Sequence, residues 1–466
     1  MEEISADLLV IGSGPAGQKG AIQGAKFGKR VVVVERDLDP GGACLYSGTI
    51  PSKTLREAIL DLTGFRQKSF YGKDFVLKKV SLSDLTFRLN QVTIEERDLI
   101  RRQFDRNSIR LVQGTASFVD PHKMIVKNYK GEDVALIESE NILIAAGSRP
   151  RNPMSVPFDK DVILDSTSLL RIDTLPATMI VLGGGIIGSE YASFFATLGT
   201  KVTVIDKREQ MLPMLDHEIG RHLQNSLTEL GLEFLGNKEP QIIERRDNKA
   251  YVQFKDGSEL YADALLYALG REAYVEGLSL ENAGLAINAR GYIPVNPLFQ
   301  TAQPHIFAAG DVIGGPCLAS TSQEQARLAV RYAFGYQGST FPRIYPICIW
   351  TIPEISSCGY TEEELRALDY HYEIGRGYYY ELARSHIEGA NTGLVKILFH
   401  KETLEILGAH VIGRGANEVI HIAQIAMEQR AKIDVFIDHM IFNYPSYAEG
   451  FRVAALNGIN KIPRAR

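Results

Sequence analysis

The clearest hydrophobic pattern in the 466-residue chain is a short apolar strand that runs into glycines and is followed by a helix. Leu8–Ile11 is apolar at every position and leads into Gly12. Such a run is typical of a strand buried on both faces of a parallel sheet. A stretch rich in small residues follows Pro15, and the apolar run Val31–Val34 then ends at Glu35. This order predicts a βαβ unit.

The same arrangement returns about 170 residues later in the chain. Met179–Leu182 leads into Gly183, a helical stretch runs to Gly199, and Val202–Ile205 ends at Asp206. Repetition of a complete βαβ unit predicts two nucleotide-binding domains in an α/β protein.

Between and after these repeats the pattern is different. Glu95–Gln103 predicts a charge-rich helix, and Ile142–Ala146 predicts a strand that ends before Pro150, where we place the first domain boundary. In the last quarter of the chain, from about residue 346, the pattern predicts an α+β module without a phosphate loop of its own. Its predicted elements are strands at Leu394–Phe399 and Ile406–Ile412 and helices at Asn417–Arg430 and Ala448–Leu456.

Composition excludes several classes of protein. The formal net charge is −5, with no basic tract of the kind that binds nucleic acid or anionic membranes. Apolar runs stay shorter than the roughly 20 residues of a membrane span, and residues 1–6 do not resemble a secretion signal, so we expect a cytoplasmic protein. The four cysteines are dispersed and predict neither a disulfide framework nor a zinc site. They are Cys44, Cys317, Cys348 and Cys358.

The first repeat carries a glycine-rich phosphate loop. Gly12, Gly14 and Gly17 form G-x-G-x-x-G between the predicted strand and helix. Glycines at these positions permit a tight turn, close approach of the backbone to a pyrophosphate, and packing of helix on strand. Glu35 would accept hydrogen bonds from an adenosine ribose. The motif alone could be a helix-capping turn, but with strand, helix and acid in place it favours dinucleotide binding.

The second repeat carries an equivalent loop with a mixed signal after it. Its glycines are Gly183, Gly185 and Gly188. Asp206 has the position of a ribose-binding acid, which favours NAD, whereas Lys207 and Arg208 could pair with the 2′-phosphate of NADP. The alternative is that both basic residues are solvated turn residues.

A third element is the segment Thr301–Asp311, which predicts a strand ending in Gly310 and Asp311. An acid at such a strand end could bind the ribityl chain of FAD. Gly-Asp alone is a common turn, and its significance comes from the two nucleotide loops that precede it.

Together these residues resemble the flavoprotein pyridine nucleotide-disulfide oxidoreductases, the family of lipoamide dehydrogenase and glutathione reductase. The resemblance extends over essentially the whole chain. Besides the two loops, it rests on Gly41–Cys44, Pro51–Lys53, Ala145–Pro150, Leu269–Arg271, Gly310–Asp311 and Thr351–Ile355.

The resemblance implies a glutathione reductase-like fold with two Rossmann-like domains and a C-terminal α+β dimerisation domain. The implied divisions are an FAD-binding domain at 1–150 and 271–345, an NAD(P)-binding domain at 151–270, and the dimerisation domain at 346–466. It implies one FAD per subunit, nicotinamide nucleotides as substrates, and a homodimer or higher homo-oligomer. Further cofactor contacts implied in this way are Gly42, Cys44, Ala116, Gly147, Gly270 and Ala319.

Lys53 and Glu190 match the family's pair beside the flavin N5 edge, and we expect them to be the catalytic residues. In this role Lys53, held by Glu190, would stabilise negative charge on the flavin. A buried structural ion pair is the alternative interpretation.

The chain departs from the family at its redox centre. The family's second redox cysteine is replaced by Thr49, and Tyr444 stands where its C-terminal histidine would be, although Glu449 matches the partner of that histidine. Disulfide reduction needs a dithiol and a base with a pKa near neutrality, and tyrosine titrates only near about pH 10. We therefore do not expect disulfide reduction.

What remains is a flavin with a nicotinamide pocket. Gly48–Lys53 and Asn443–Pro445 are similar to family members that pass hydride from NADPH to NAD⁺ through the flavin in a ping-pong cycle, and we expect this activity. The alternatives are an NAD(P)H oxidase, a quinone reductase or diaphorase, and a non-catalytic flavoprotein subunit. Cys44 is interpreted as a residue packed against the flavin, with a single-cysteine redox centre as the alternative.

Overall fold

A computed structural model of the chain describes residues 1–65, 82–336 and 338–462. It divides into two compact units that each join distant segments. The first comprises Met1–Thr54, Thr86–Arg151 and Gly270–Pro342; the second comprises Leu55–Leu85, Asn152–Leu269 and Arg343–Arg466. The finer domain boundaries drawn from the sequence stay a prediction.

The first unit is built on a mixed sheet. Its order within the described residues is Arg110–Gln113, Val31–Glu35, Glu2–Ile11, Asp133–Ile144, Lys123–Lys127 and Thr115–Asp120, with Ile306–Ala308 also paired to Asp133–Ile144. The strands around Glu2–Ile11 run parallel, so their carboxyl ends meet at one edge. The helices of this unit include Pro15–Lys26, Gly42–Tyr46 and Ala319–Ala333, together with most of Leu82–Arg106 and the start of Thr49–Leu62. A separate strand pair joins Ser148–Pro150 to Arg271–Ala273.

The second unit contains the repeated parallel sheet, with the order Glu233–Leu235, Lys201–Ile205, Thr178–Leu182, Ala264–Tyr267 and Ile163–Leu164. Its helices are Ile186–Thr197 and His217–Glu229. A separate antiparallel sheet is formed by Pro240–Arg246, Lys249–Phe254 and Glu259–Ala262.

The C-terminal part of this unit is an antiparallel sheet with helices, as the sequence predicted. Its strands, in sheet order, are Ile347–Ile349, Ile355–Gly359, Ile406–Ile412, Leu394–His400 and Tyr372–Tyr378. The helices are Glu362–Ala367, Ala383–Glu388, Ala416–Glu428 and Glu449–Ile459.

Three elements differ markedly in length from the sequence prediction, whereas the C-terminal elements differ by at most three residues at either end. The charge-rich helix spans Leu82–Arg106 and is anchored by buried residues near both ends, Leu85 near the start and Ile100 and Phe104 near the end, whereas its other described positions are exposed or half-buried. The strand expected at 142–146 is Asp133–Ile144, and its first half alternates in burial like an antiparallel strand. The strand expected over 301–311 is Ile306–Ala308.

Candidate functional site

The first glycine-rich loop has the geometry of a phosphate cradle. A Cβ on Gly12 would lie 2.6 Å from the Ala145 carbonyl oxygen, and one on Gly17 would lie 1.8 Å from the Gly12 oxygen, so neither position accepts a side chain. Gly14 is the N-cap of the helix Pro15–Lys26, without a side-chain cap, and a Cβ on it would meet no described heavy atom within 4 Å. The open space at a helix N-terminus with uncapped amide groups fits a dinucleotide pyrophosphate.

The acid of this unit is positioned by the same loop. Glu35 is 5% exposed and accepts hydrogen bonds from the Ser13 amide at 2.9 Å and the Ser13 hydroxyl at 2.5 Å. The Asp37 amide donates to its other oxygen at 3.1 Å. A Cβ on Gly42 would lie 3.0 Å from the Gly14 Cα, so the predicted residue Gly42 is also packed against the loop.

Asp311 belongs to a hydrogen-bond chain that sequence reasoning did not single out. The Ser148 hydroxyl donates to the Asp311 carboxylate, and the Arg271 Nε donates to that hydroxyl oxygen at 2.8 Å. The side-chain oxygen of Gln325 accepts from the Gly310 amide at 2.9 Å. Ser148 and Arg271 lie inside motifs noticed in the sequence, but Gln325 carries no sequence signal because its partner is 15 residues away.

Cys44 and Thr49 are neighbours in space. Burial raises the pKa of the Cys44 thiol above its ordinary value, although the Thr49 hydroxyl, the Ile50 amide and the charge of Lys53 each oppose that shift. A raised pKa keeps the thiol protonated at neutral pH, which weighs against a reactive thiolate. Lys53 lies on the helix Thr49–Leu62, and its ammonium donates to the Ser52 hydroxyl at 3.3 Å.

The second loop repeats the geometry of the first. A Cβ on Gly183 would lie 2.6 Å from the Ala268 oxygen, and one on Gly188 would lie 1.9 Å from the Gly183 oxygen. Gly185 is the uncapped N-cap of the helix Ile186–Thr197, and a Cβ on it would meet no described heavy atom within 4 Å. A second dinucleotide pyrophosphate fits here for the same reason.

Asp206 differs from Glu35 in being paired with a cation. The guanidinium of Arg208 donates to both carboxylate oxygens, Nε to Oδ1 at 2.8 Å and Nη2 to Oδ2 at 2.7 Å. Burial acts to raise the pKa of Asp206, but the hydrogen bonds from Arg208 and Gly184 outweigh it and hold the pKa below its ordinary value. Arg208 and Lys207 are both exposed, but Arg208 is paired with Asp206 and is therefore not a freely solvated turn residue.

Glu190 and Arg56 are both buried and both contact the segment around Trp350, and Arg56 was not among the predicted site residues. The Glu190 carboxylate accepts from the Trp350 amide at 2.8 Å. Arg56 is buried, donates from Nε to the Thr351 carbonyl at 3.2 Å and has Nη2 3.4 Å from the Glu354 carboxylate. The sequence signal that could have found Arg56 is its position three residues after Lys53, at the end of the Pro51–Lys53 motif. Lys53 and Glu190 belong to different compact units, so their pairing stays a prediction.

The other predicted contact residues have these positions. Gly147 and Gly270 have positive φ angles of 71° and 107°, which favour glycine. Ala116 is buried in the strand Thr115–Asp120, and Ala319 is the first residue of the helix Ala319–Ala333. Their contacts with a cofactor stay a prediction.

Both nucleotide loops and the C-terminal part of the chain lie within matches to one protein family. Residues 6–326 match the family described as pyridine nucleotide-disulphide oxidoreductase, and residues 345–455 match the dimerisation domain of that family. The chain belongs to this family. It is therefore an oxidoreductase that uses a flavin and nicotinamide nucleotides, and the matched dimerisation domain indicates a homo-oligomer. The predicted family and fold class are confirmed.

Curated relatives resemble the chain over nearly its full length. A protein of Mycobacterium bovis named soluble pyridine nucleotide transhydrogenase is 42% identical over 98% of this chain and 97% of its own. A protein of the same name from Pectobacterium atrosepticum is 42% identical over 98% of both chains. The resemblance to family members that transfer hydride between nucleotides is thus confirmed.

Solved structures agree with the fold. The HOCl-induced flavoprotein disulfide reductase RclA of Escherichia coli superimposes with a TM-score of 0.87 at 27% identity, covering 97% of this chain and 99% of that one. LpdA of Mycobacterium tuberculosis gives a TM-score of 0.89 at 25% identity, covering 98% and 99%. Across the described ranges, no helix combines the length and apolar character needed to cross a bilayer.

Proposed function

We propose that the chain is an FAD-dependent transhydrogenase that moves hydride from NADPH to NAD⁺ in a ping-pong cycle, without a redox-active disulfide. The observation that carries the proposal is the pair of matching phosphate cradles combined with Thr49 beside Cys44. Two cradles provide for two dinucleotides, and a threonine cannot complete a disulfide. The names of the curated relatives support the same activity.

The protein's contribution is to bind and orient its two dinucleotides, since the flavin when bound supplies the hydride chemistry. The loop around Gly12, Gly14 and Gly17 would hold the FAD pyrophosphate, with Glu35 on the adenosine ribose. The hydrogen bonds from Arg271 to Ser148 and from Ser148 to Asp311 would fix the Asp311 carboxylate, which would accept hydrogen bonds from the ribityl hydroxyls. Lys53 would provide positive charge near the isoalloxazine.

The second cradle would bind either nicotinamide nucleotide in turn. Its helix N-terminus supplies partial positive charge to the pyrophosphate, and this part of the ligand is common to NADH and NADPH. The two nucleotides differ only at the 2′ position of the adenosine ribose, which is a hydroxyl in NADH and a phosphate in NADPH. Residues 206–208 would contact this position. A single site of this kind suits successive binding of donor and acceptor.

We propose in addition that the enzyme is a cytoplasmic homodimer. The word soluble in the names of its relatives and the matched dimerisation domain support this proposal. Neither nucleic acid nor a membrane is expected as a partner, because the net charge is −5 and the sequence carries no basic tract.

Steady-state transfer from NADPH to thio-NAD⁺ tests the activity. Lipoamide and glutathione disulfide serve as alternative acceptors, and each assay is run before and after alkylation with N-ethylmaleimide. We expect nucleotide-to-nucleotide transfer that survives alkylation and no turnover of either disulfide. Turnover of a disulfide, or faster electron transfer to oxygen or a quinone than to thio-NAD⁺, would contradict the proposal.

A further inference from the structure

The two nucleotide loops allow an internal comparison of their acids. Glu35 accepts a hydrogen bond from the Ser13 amide at 2.9 Å, and Asp206 accepts one from the Gly184 amide at 2.7 Å. In both loops the acid lies 22 residues after its donor. The local backbone arrangement is therefore the same. The difference is that Glu35 also receives a neutral serine hydroxyl, whereas Asp206 also receives a guanidinium.

The Asp206 carboxylate is fully occupied by its present partners. Oδ1 accepts from the Arg208 amide at 2.9 Å and from Arg208 Nε at 2.8 Å. Oδ2 accepts from the Gly184 amide at 2.7 Å and from Arg208 Nη2 at 2.7 Å. Because a carboxylate oxygen has two in-plane acceptor positions, a ribose hydroxyl can bind Asp206 only by displacing the guanidinium.

The Arg208 side chain remains available to a ligand while it is paired. It is 42% exposed, whereas the Asp206 side chain is 2% exposed. A guanidinium carries five N–H donors, and the bonds to Asp206 use two of them. Its remaining donors suit a phosphate, and its charge offsets the carboxylate that would otherwise repel a 2′-phosphate.

We infer that the Asp206–Arg208 ion pair selects the nucleotide at the second loop, staying closed over NADP(H) and opening for NAD(H). With the pair closed, Arg208 binds the 2′-phosphate and Asp206 is neutralised. With the pair open, Asp206 keeps the Gly184 amide and accepts the 2′-hydroxyl. One ion pair thus allows one site to serve both nucleotides, which deepens the proposed function and rests on it.

The exchange is physically reasonable because the guanidinium partner is 42% exposed, although the carboxylate is buried. When the pair opens, water can solvate the guanidinium, and a ribose hydroxyl can take an acceptor position on the Asp206 carboxylate. Glu35 has no such cation among its hydrogen-bond donors in the described part of the chain, which are the groups of Ser13 and Asp37. By the same reasoning the first loop is restricted to a nucleotide with a free ribose.

Calorimetric binding of adenosine 2′,5′-bisphosphate and of AMP to the flavin-loaded protein tests the inference without hydride transfer. In Arg208→Gln we expect the bisphosphate to bind roughly 10- to 100-fold more weakly, the usual effect of losing a charge-assisted bond, and AMP to bind equally or more tightly. In Asp206→Asn we expect the affinity for AMP to fall by roughly tenfold and the affinity for the bisphosphate to be unchanged. The matched control is Lys201→Gln, which removes an exposed cation at the start of the strand Lys201–Ile205 that leads to Asp206. It should change the affinity for neither ligand by more than about twofold.

An equal loss of affinity for AMP and for the bisphosphate in Arg208→Gln would overturn the inference, because a merely structural role of Arg208 would weaken the binding of both ligands. A larger loss of bisphosphate in Lys207→Gln than in Arg208→Gln would also overturn it. Thermal unfolding of each variant identifies a folding defect, and Arg208→Lys, which keeps the charge but not the paired geometry, should then show intermediate discrimination. Failure of transhydrogenation alone would leave these binding ratios unchanged, so the two proposals fail separately.

Discussion

The most informative perturbation of the second unit is Lys396→Met. The Lys396 side chain is fully buried, and its ammonium lies 2.9 Å from Asp216, 3.0 Å from Glu218 and 2.7 Å from Glu362. Asp216 is also fully buried and caps the helix His217–Glu229. Burial acts to lower the pKa of Lys396, but the three carboxylates outweigh it and raise the pKa above its ordinary value.

Methionine has a similar length but leaves these carboxylates without their shared cation. Removing one partner of a buried ion pair costs about 3–5 kcal/mol, because the remaining charge is neither solvated nor paired. Asp216 retains the amides of Glu218 and Glu362, and Glu218 retains Arg376, so we expect the lower part of that range. In a folding unit of a few hundred residues, each kcal/mol corresponds to roughly 2–4 °C, so this loss should lower the melting temperature by roughly 6–15 °C.

The same variant predicts a pH effect of defined sign. In Lys396→Met the folded state takes up protons more readily than the wild type, since Asp216 loses a neighbouring cation and His410 loses a neighbouring like charge. A folded state that gains proton affinity becomes relatively more stable as the pH falls. The deficit relative to the wild type should therefore shrink between about pH 7 and pH 5.5, by up to about 1.4 kcal/mol per pH unit for each group.

Urea unfolding followed by the fluorescence of Trp350, the single tryptophan of the sequence, measures the free energy of the unit that contains Lys396. Lys249→Met is the matched control, because its ion pair with Asp263 is 3.4 Å long with side chains 54% and 36% exposed. Its loss should cost less than about 1 kcal/mol. A Lys396→Met deficit no larger than that of the control, or one that does not change with pH, would refute this reasoning.

Further expectations concern His410 and the Cys44–Thr49 pair. Burial lowers the pKa of His410 below its ordinary value of about 6.5, so the unfolded chain binds a proton that the folded one excludes and stability falls as the pH drops below that value. His410→Gln should flatten this slope in urea unfolding between about pH 6.5 and 5.5, and an unchanged slope would assign it to other groups. Because the Thr49 hydroxyl reaches the Cys44 thiol, Thr49→Cys should form a disulfide on oxidation. Thiol titration under denaturing conditions should then find fewer free thiols than in the reduced variant, and Cys44→Ala/Thr49→Cys should abolish the difference; no difference in the single variant would show that the sulfurs do not meet.

Local patterns in the sequence were sufficient to predict the two βαβ units. A strand, glycine loop, helix, strand and acid lie within about 30 consecutive residues, so each unit carries its complete signal in one segment. The structure confirms both strand pairs, Leu8 beside Val31 and Thr178 beside Lys201. The antiparallel strand Ile406–Ile412 was also predicted with its observed bounds.

Long-range partners could not be predicted in the same way. Lys396 stands in an apolar strand, and its burial is possible only because carboxylates from residues 216, 218 and 362 meet it. No local pattern pairs residues 180 positions apart. The Asp206–Arg208 pair was missed for another reason: both residues were noticed as ligand groups, but their mutual geometry depends on the turn between them.

In the proposed function, the flavin exchanges electrons with nicotinamide nucleotides and not with a protein disulfide. Anaerobic dithionite titration of the holoenzyme, followed by rapid mixing with NAD⁺ or with air-saturated buffer, distinguishes these two routes. We predict uptake of two electrons per flavin, and then reoxidation by NAD⁺ that is faster than reoxidation by air and yields one NADH per flavin. Uptake of four electrons per flavin, or reoxidation by air without formation of NADH from NAD⁺, would contradict the proposed function.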